Sequence, residues 1–560
     1  MKKLFLFIFF FSAFRIISAQ SLLKQSNLAQ QDLKRRGEVY FSFQLSDLKQ
    51  LSVLTQKISI SSVHENTVYA YANQKEFSDF SNYNFEYTVL TAPSELYPVQ
   101  MTADPKQVLT WDYYPTYPAY ETLMQQFASG HPEICKLITL TTLASGRKIL
   151  ALRISDNVNT EENEPEFLYT STIHGDETTG YILLLHLADY LLAGYGTDER
   201  ITHIVNNFDI VICPLANPDG TYKGGDNTVN GATRTNANNI DLNRNYPDPA
   251  AGPHPDGNAW QPETIAFMAF AEQNTITMGA NFHGGSEVVN YPWDTWSKTT
   301  ADDAWWNYTS REYVDTVHAN APAGYMTSEN NGITDGYAWY TITGGRQDYM
   351  NYYRYCREST IELSDIKILP ENQLAAYWNY NYRSMLNYIE QAGYGLHGIV
   401  TDSLSGEPLY ARVFISGFDK DSSQVYSDPQ VGDYHRLLKG GNYSVTYSAS
   451  GYLPKTVSVQ VTDRKTTVLD IKLQNQDVDF NLQSEISVYP NPVTDGKLTI
   501  NSDDLIQGLI VSDIAGRIIS RSTPLTKHTV VECNWSSGIY LLQLEVKGKI
   551  INKKIQVIRN

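Results

Sequence analysis

The chain has 560 residues, 42% of them hydrophobic and 19% charged, which excludes both a single ordinary domain and a disordered chain. A formal net charge of −18 repels phosphate backbones and argues against nucleic acid as a partner; it either attracts cationic peptides or simply aids solubility. The four cysteines, Cys135, Cys213, Cys356 and Cys533, form no CxxC pair, which excludes a zinc ribbon; buried free thiols are expected, with one disulfide left open.

Lys2 and Lys3 precede an apolar run from Leu4 to Phe14 that Arg15 interrupts. Residues 1–19 read as a signal peptide, with a mature chain starting at Gln20. No later stretch approaches the roughly 18 uninterrupted apolar residues of a spanning helix, so no transmembrane helix is expected in the mature chain. Residues 20–104 form a small α+β region, with strands at 39–45, 67–72 and 85–90 and helices at 46–56 and 75–83. Pro93, Pro98 and Pro105 mark a linker. Residues 105–394 alternate strands and helices and imply an α/β domain, a mixed sheet flanked by helices. Its strands fall at 166–173, 208–216, 276–282 and 358–364, and its longest helix at 179–195. Two β-sandwich domains come next, at 395–475 and 485–560, separated by a polar linker at 475–484.

The chemistry of the large domain gathers at the ends of its buried strands. Ligands bind beyond the carboxyl ends of strands in such sheets. His174-Gly175-Asp176-Glu177 comes after the first strand, Asn217-Pro218-Asp219-Gly220 after the second and His283-Gly284-Gly285 after the third, while Glu362 lies in the last. His174 and Glu177, three apart around a glycine turn, can reach one metal, and His283 adds a third ligand from a distant strand. Two imidazoles and a carboxylate suit Zn²⁺ with one position left open, although other divalent ions can occupy the same cage. The remaining histidines, including His131, His186, His203 and His318, read as packing or surface residues.

Six motifs occur in order: HGDE (174–177), NPDG (217–220), RTNANNIDLNRNYP (234–247), NFHGGSEVVNYPWD (281–294), NGITDGYAWYTITGGRQD (331–348) and TIELS (360–364). With them, residues 110–395 resemble the zinc metallocarboxypeptidases of the N/E, or regulatory, subfamily. The resemblance implies one Zn²⁺ held by His174, Glu177 and His283. Glu362 matches the general base that takes a proton from the attacking water and passes it to the leaving amine. Arg234 matches the arginine that polarises the scissile carbonyl. Asn243 and Arg244 match the pair gripping the substrate's terminal carboxylate, and Tyr340 the tyrosine that closes over it. Asp294, with Gln347, matches the acid that favours C-terminal Arg or Lys; the bland reading of Asp294 is a turn cap. Asp176 stands where the subfamily has Asn, adding charge beside the metal, and Arg346 stands where Met is common and could reshape the pocket.

Residues 395–475 resemble the transthyretin-like domain of regulatory carboxypeptidases, a structural domain whose functional rival is a carbohydrate-binding module. Residues 485–560 resemble the sorting domain of the type IX secretion system, carried by YPNP (489–492), SDIAGRII (512–519) and SSGIYLLQL (536–544). That implies the type IX machinery as a partner and export through the outer membrane, leaving the protein secreted or on the cell surface. Residues 20–104 sit where a pro-domain would sit; the rival is a permanent accessory domain. The expected activity is hydrolysis of the C-terminal peptide bond of peptides and proteins, releasing Arg or Lys. The alternatives are a cell-wall peptide carboxypeptidase and a catalytically inactive peptide- or glycan-binding surface protein.

Overall fold

The structure is a computed structural model that describes residues 23–476, 486–514 and 516–559. The expected signal peptide and most of the polar linker lie outside the described residues. The chain divides into two compact units: residues 23–399 with 412–445 and 457–470, and residues 400–411 with 446–456 and the C-terminal segment from 471.

The first unit opens with a helix over 23–36 and a four-stranded antiparallel sheet of β1 (Glu38–Gln44), β2 (Ser59–His64), β3 (Thr67–Asn73) and β4 (Tyr87–Val89), in the order β2-β3-β1-β4. Val39, Phe41 and Phe43 alternate into its core against Phe77 and Phe80 of the helix Gln74–Ser81. That helix starts at a capping box, the Asn73 side chain accepting from Glu76 N and the Glu76 side chain from Asn73 N. The helix expected at 46–56 is a 3₁₀ turn (Leu48–Gln50) and a single α-turn (Leu51–Leu54). Sequence reasoning missed β2. Its register jumps between Ile60 and Ser62, leaving Ser61 as a bulge that breaks the period-two pattern.

The large domain holds an eight-stranded mixed sheet: β5 (Cys135–Thr142), β6 (Lys148–Ile154), β7 (Glu166–Ser171), β8 (Asp209–Cys213), β9 (Ile276–His283), β10 (Ser286–Tyr291), β11 (Ile333–Asp335) and β12 (Arg357–Ser364), in the order β11-β10-β12-β9-β7-β8-β6-β5. β8, β7, β9 and β12 run parallel. Each of these four is buried along its whole length, as parallel strands covered on both faces must be. One apolar layer joins the sheet to the helices Thr179–Gly194, Asp303–His318 and Leu374–Gln391; a second involves Pro262–Gln273 and Arg346–Tyr353. The segment read as a linker is fastened down. Ser94 Oγ donates to Ala232 O (2.6 Å), Tyr97 OH to Ile368 O (3.1 Å) and Asn230 Nδ2 to Tyr97 O (2.8 Å).

Residues 395–473 carry eight strands in two sheets. Within the first unit, Arg436 on the strand Asp433–Arg436 and Arg357 at the start of β12 both pair with Asp302, each at 2.8 Å. The second unit ends in six antiparallel strands between Ile486 and Val557, with Leu498, Ile500, Leu542, Leu544 and Ile555 turned into its core. All four cysteines are free and buried. No helix among the described residues is long and apolar enough to cross a membrane.

Candidate metal centre

His174 and Glu177 lie on the loop leaving β7, and His283 is the last residue of β9. Glu177 Oε2 is 2.9 Å from Nδ1 of His174 and 2.9 Å from Nδ1 of His283; the two Nδ1 atoms are 3.2 Å apart. These three buried donors form a cluster able to hold one metal ion. The tight loop needs Gly175, because an added Cβ there would lie 2.4 Å from the Gly220 carbonyl carbon. Nitrogens and oxygen converging on one point from two strand ends fit Zn²⁺.

A ring of further side chains orients the cluster. His174 Nε2 is 3.0 Å from Asp241 Oδ1, and His283 Nε2 lies 2.8 Å from the Asn281 amide. Arg234 donates from Nε to Asp241 Oδ2 (3.0 Å) and from Nη1 to Glu177 Oε1 (3.3 Å). Lys367 Nζ donates to the same Oε1 at 2.5 Å. Burial alone would raise the Glu177 carboxyl, but His174 and Lys367 outweigh it and hold it well below the usual carboxylate range. Glu362 is pushed well above that range, first by burial and then by the Glu177 charge, and its Oε2 has no hydrogen-bond partner.

Glu362, Arg234, Asn243, Arg244, Asp294 and Tyr340 line one cavity of about 20 Å³ with the three metal-competent residues. Arg244 donates from Nη1 to Asn243 O (2.9 Å), whereas its buried Nε and Nη2 have no partner. Asn243 Oδ1 accepts from Arg346 N at 2.9 Å. Asp294 Oδ1 accepts from Asn290 Nδ2 (2.9 Å) and Gln347 Nε2 (3.1 Å), and burial lifts this carboxyl to about 7. An added Cβ at Gly336 would stand 1.9 Å from Asp294 Oδ1, so only glycine fits there. Arg346 does not reshape this pocket with its side chain: the guanidinium runs to Glu358 Oε2 (2.9 Å) and Thr170 Oγ1 (2.7 Å).

The N-terminal sheet closes the cavity. Ser61, on the bulge of β2, joins its lining, and Tyr340 and Ile342 belong to the apolar core of that sheet. Glu38 accepts from Arg234 N (3.0 Å), Thr235 N (3.1 Å) and Thr235 Oγ1 (2.7 Å). Sequence reasoning missed Asp241, Asn281, Lys367, Glu38 and Tyr71. Asp241 and Asn281 sit inside two of the six motifs, a signal that could have singled them out; the other three carry none.

Residues 120–384 match the zinc carboxypeptidase family, residues 395–474 the carboxypeptidase regulatory-like domain and residues 487–558 the secretion system C-terminal sorting domain. The last marks the chain for export to the cell surface or outside by type IX secretion. The chain is 35% identical to mouse carboxypeptidase D over 384 residues, which cover 66% of this chain and 27% of that protein. It is 34% identical to mouse carboxypeptidase M (59% of this chain, 77% of that protein) and 32% identical to the rat carboxypeptidase N catalytic chain (63% and 85%). The chain thus spans only about a quarter of the carboxypeptidase D proteins it matches, but most of the shorter relatives. With a His₂Glu cluster at the strand ends and this coverage of its relatives, the chain belongs to the zinc carboxypeptidase family.

Proposed function

We propose that the protein is a zinc-dependent carboxypeptidase that removes C-terminal Arg or Lys from peptides and proteins. One observation carries the reading. Arg244 presents two unpartnered donors, buried in the same cavity as Asp294, Glu362 and the metal cluster. Buried donors are costly unless a ligand completes them, and a guanidinium is suited to a carboxylate. Arg244, aided by the Asn243 amide, would hold the terminal carboxylate. Asp294, oriented by Gln347 and Asn290, would receive the cationic side chain. Arg234 would stabilise charge on the scissile carbonyl oxygen. Glu362, kept basic enough by burial, would take the proton of the attacking water and deliver it to the leaving amine. His174, Glu177 and His283 would hold the zinc ion, which supplies Lewis-acid polarisation and lowers the pKa of water when bound. Tyr340 would close over the substrate. The test is a panel of peptides ending in Arg, Lys, Phe or Glu. Release of Arg and Lys that stops with a chelator is expected, and release of Phe without Arg would overturn the role of Asp294.

Residues 20–104 act, in this reading, as a cover of the pro-domain kind. A cavity of about 20 Å³ has room for a water but not for a peptide, and Ser61 helps to fill it. Peptidase activity should rise when limited proteolysis cuts between residues 91 and 104; unchanged activity after a complete cut would refute the cover.

A further inference from the structure

We propose that Lys367 is a positioning residue for Glu177, occupying its Oε1 so that only Oε2 ligates the metal, and that Tyr71 of the N-terminal sheet holds Lys367 in place through Asp176. Both roles rest on the metal site proposed above. The two oxygens of Glu177 have different surroundings. Oε2 faces the Nδ1 atoms of His174 and His283, both at 2.9 Å. Oε1 is taken by the Lys367 ammonium at 2.5 Å, with Arg234 Nη1 at 3.3 Å. A charge-assisted bond of that length makes Oε1 a poor second ligand.

Lys367 is itself held at several points. Its carbonyl accepts from Thr178 N at 3.0 Å, which fastens its backbone to the residue after Glu177. Its ammonium lies 3.4 Å from Gly284 O, 3.8 Å from Asp176 Oδ1 and 5.5 Å from the centre of the Tyr71 ring. The Tyr71 hydroxyl donates to Asp176 Oδ2 at 2.7 Å. Lys367, Asp176 and Glu177 are each at most 4% exposed. Glu177 is served by both the Lys367 ammonium and the Arg234 guanidinium, whereas Asp176 has Lys367 at 3.8 Å from Oδ1 and the Tyr71 hydroxyl on Oδ2. The hydrogen bond that holds Asp176 against Lys367 therefore comes from outside the large domain. A cover that merely blocked the cavity would need no such contact behind the metal cluster.

The test uses the full chain loaded with Co²⁺ and reads its visible absorption, which tracks coordination number and does not depend on turnover. Lys367→Met should free Oε1, raise the coordination number and weaken the visible bands. Lys367→Arg, which keeps the charge, should stay close to the parent. Tyr71→Phe should shift the bands in the same direction by a smaller amount. Metal affinity, measured by chelator competition, should change by about 10-fold or more in Lys367→Met, as is usual for groups that orient a ligand. Parent-like spectra in folded Lys367→Met would overturn the role of Lys367. Should that variant fail to fold, a parent-like spectrum and metal affinity in Tyr71→Phe overturn the proposal by themselves. A spectral change in a protein that cleaves no peptide would support it while sinking the carboxypeptidase reading, so the two fail separately.

Discussion

His283 and Glu362 are direct register partners on the adjacent parallel strands β9 and β12. One sheet register therefore sets a metal-competent imidazole beside the carboxylate proposed as base. Since Glu362 Oε2 has no partner of its own, replacing it disturbs little else. Glu362→Gln should keep one zinc per chain by metal analysis and lose about 10²–10⁴-fold in kcat, the usual contribution of a positioned acid–base group. Parent-like turnover would remove Glu362 from that role.

Glu38 joins the N-terminal sheet to the loop carrying Arg234. Its carboxylate accepts three hydrogen bonds from Arg234 and Thr235 and lies 3.7 Å from Arg36. Truncation would strand the buried donors of Arg234 and Thr235, while Arg36 would keep Glu95 at 2.9 Å. Glu38→Ala should destabilise the first unit by about 1–3 kcal/mol in denaturant unfolding, the cost of buried donors left unsatisfied. A loss within a few tenths of a kcal/mol would mean that the contact is not energetically coupled.

Asp294 should make selectivity depend on pH. Burial, with smaller contributions from Asp335 and Asp248, lifts its carboxyl to about 7 in the substrate-free protein. Below that pH it is protonated and no longer pairs with a cation. The ratio of kcat/KM for Arg-ending to Phe-ending peptides should fall as pH drops from 8 to 6, approaching about tenfold per unit at the acid end. Asp294→Asn should lower the ratio and flatten its profile.

His186 is stacked between Trp111 and Trp378, with ring centres 4.2 and 3.8 Å away. Burial lowers its pKa to about 3, whereas in the unfolded chain it titrates near 6.5. Between those values the unfolded state binds more protons, so stability is lost as pH falls through this window. His186→Phe keeps an aromatic ring in the stack and should flatten the decline between pH 6.5 and 3, as read by denaturant unfolding at several pH values. An unchanged slope would place the linkage elsewhere.

The residues around the cavity were legible where their signal is local. His174, Glu177 and His283 come after apolar strand runs, and such runs announce both the strand and its carboxyl end. Glu362 was placed in a strand read at 358–364, but that strand is largely polar, and its role came from the match of TIELS (360–364) to the family. The pattern failed at β2, where the bulge at Ser61 interrupts alternation, and at 46–56, where a helical spacing yields only short turns. It also failed for the segment from Pro93 to Pro105, read as a linker from its prolines but held to the large domain by Ser94 and Tyr97.

By itself, the sequence determined the order of the domains, the donor set and the strand ends that carry it, because these arise from hydrophobic periodicity and residue chemistry within a few positions. Tertiary structure alone decided that Lys367 takes one oxygen of Glu177, that Tyr71 and Glu38 reach the site from another sheet, and that Ser61 closes it. The side-chain hydrogen bonds of Tyr71, Lys367 and Glu38 join residues 83 to 197 positions apart, and their partners are chosen by burial, which obliges each polar group to find whichever complement the fold brings near.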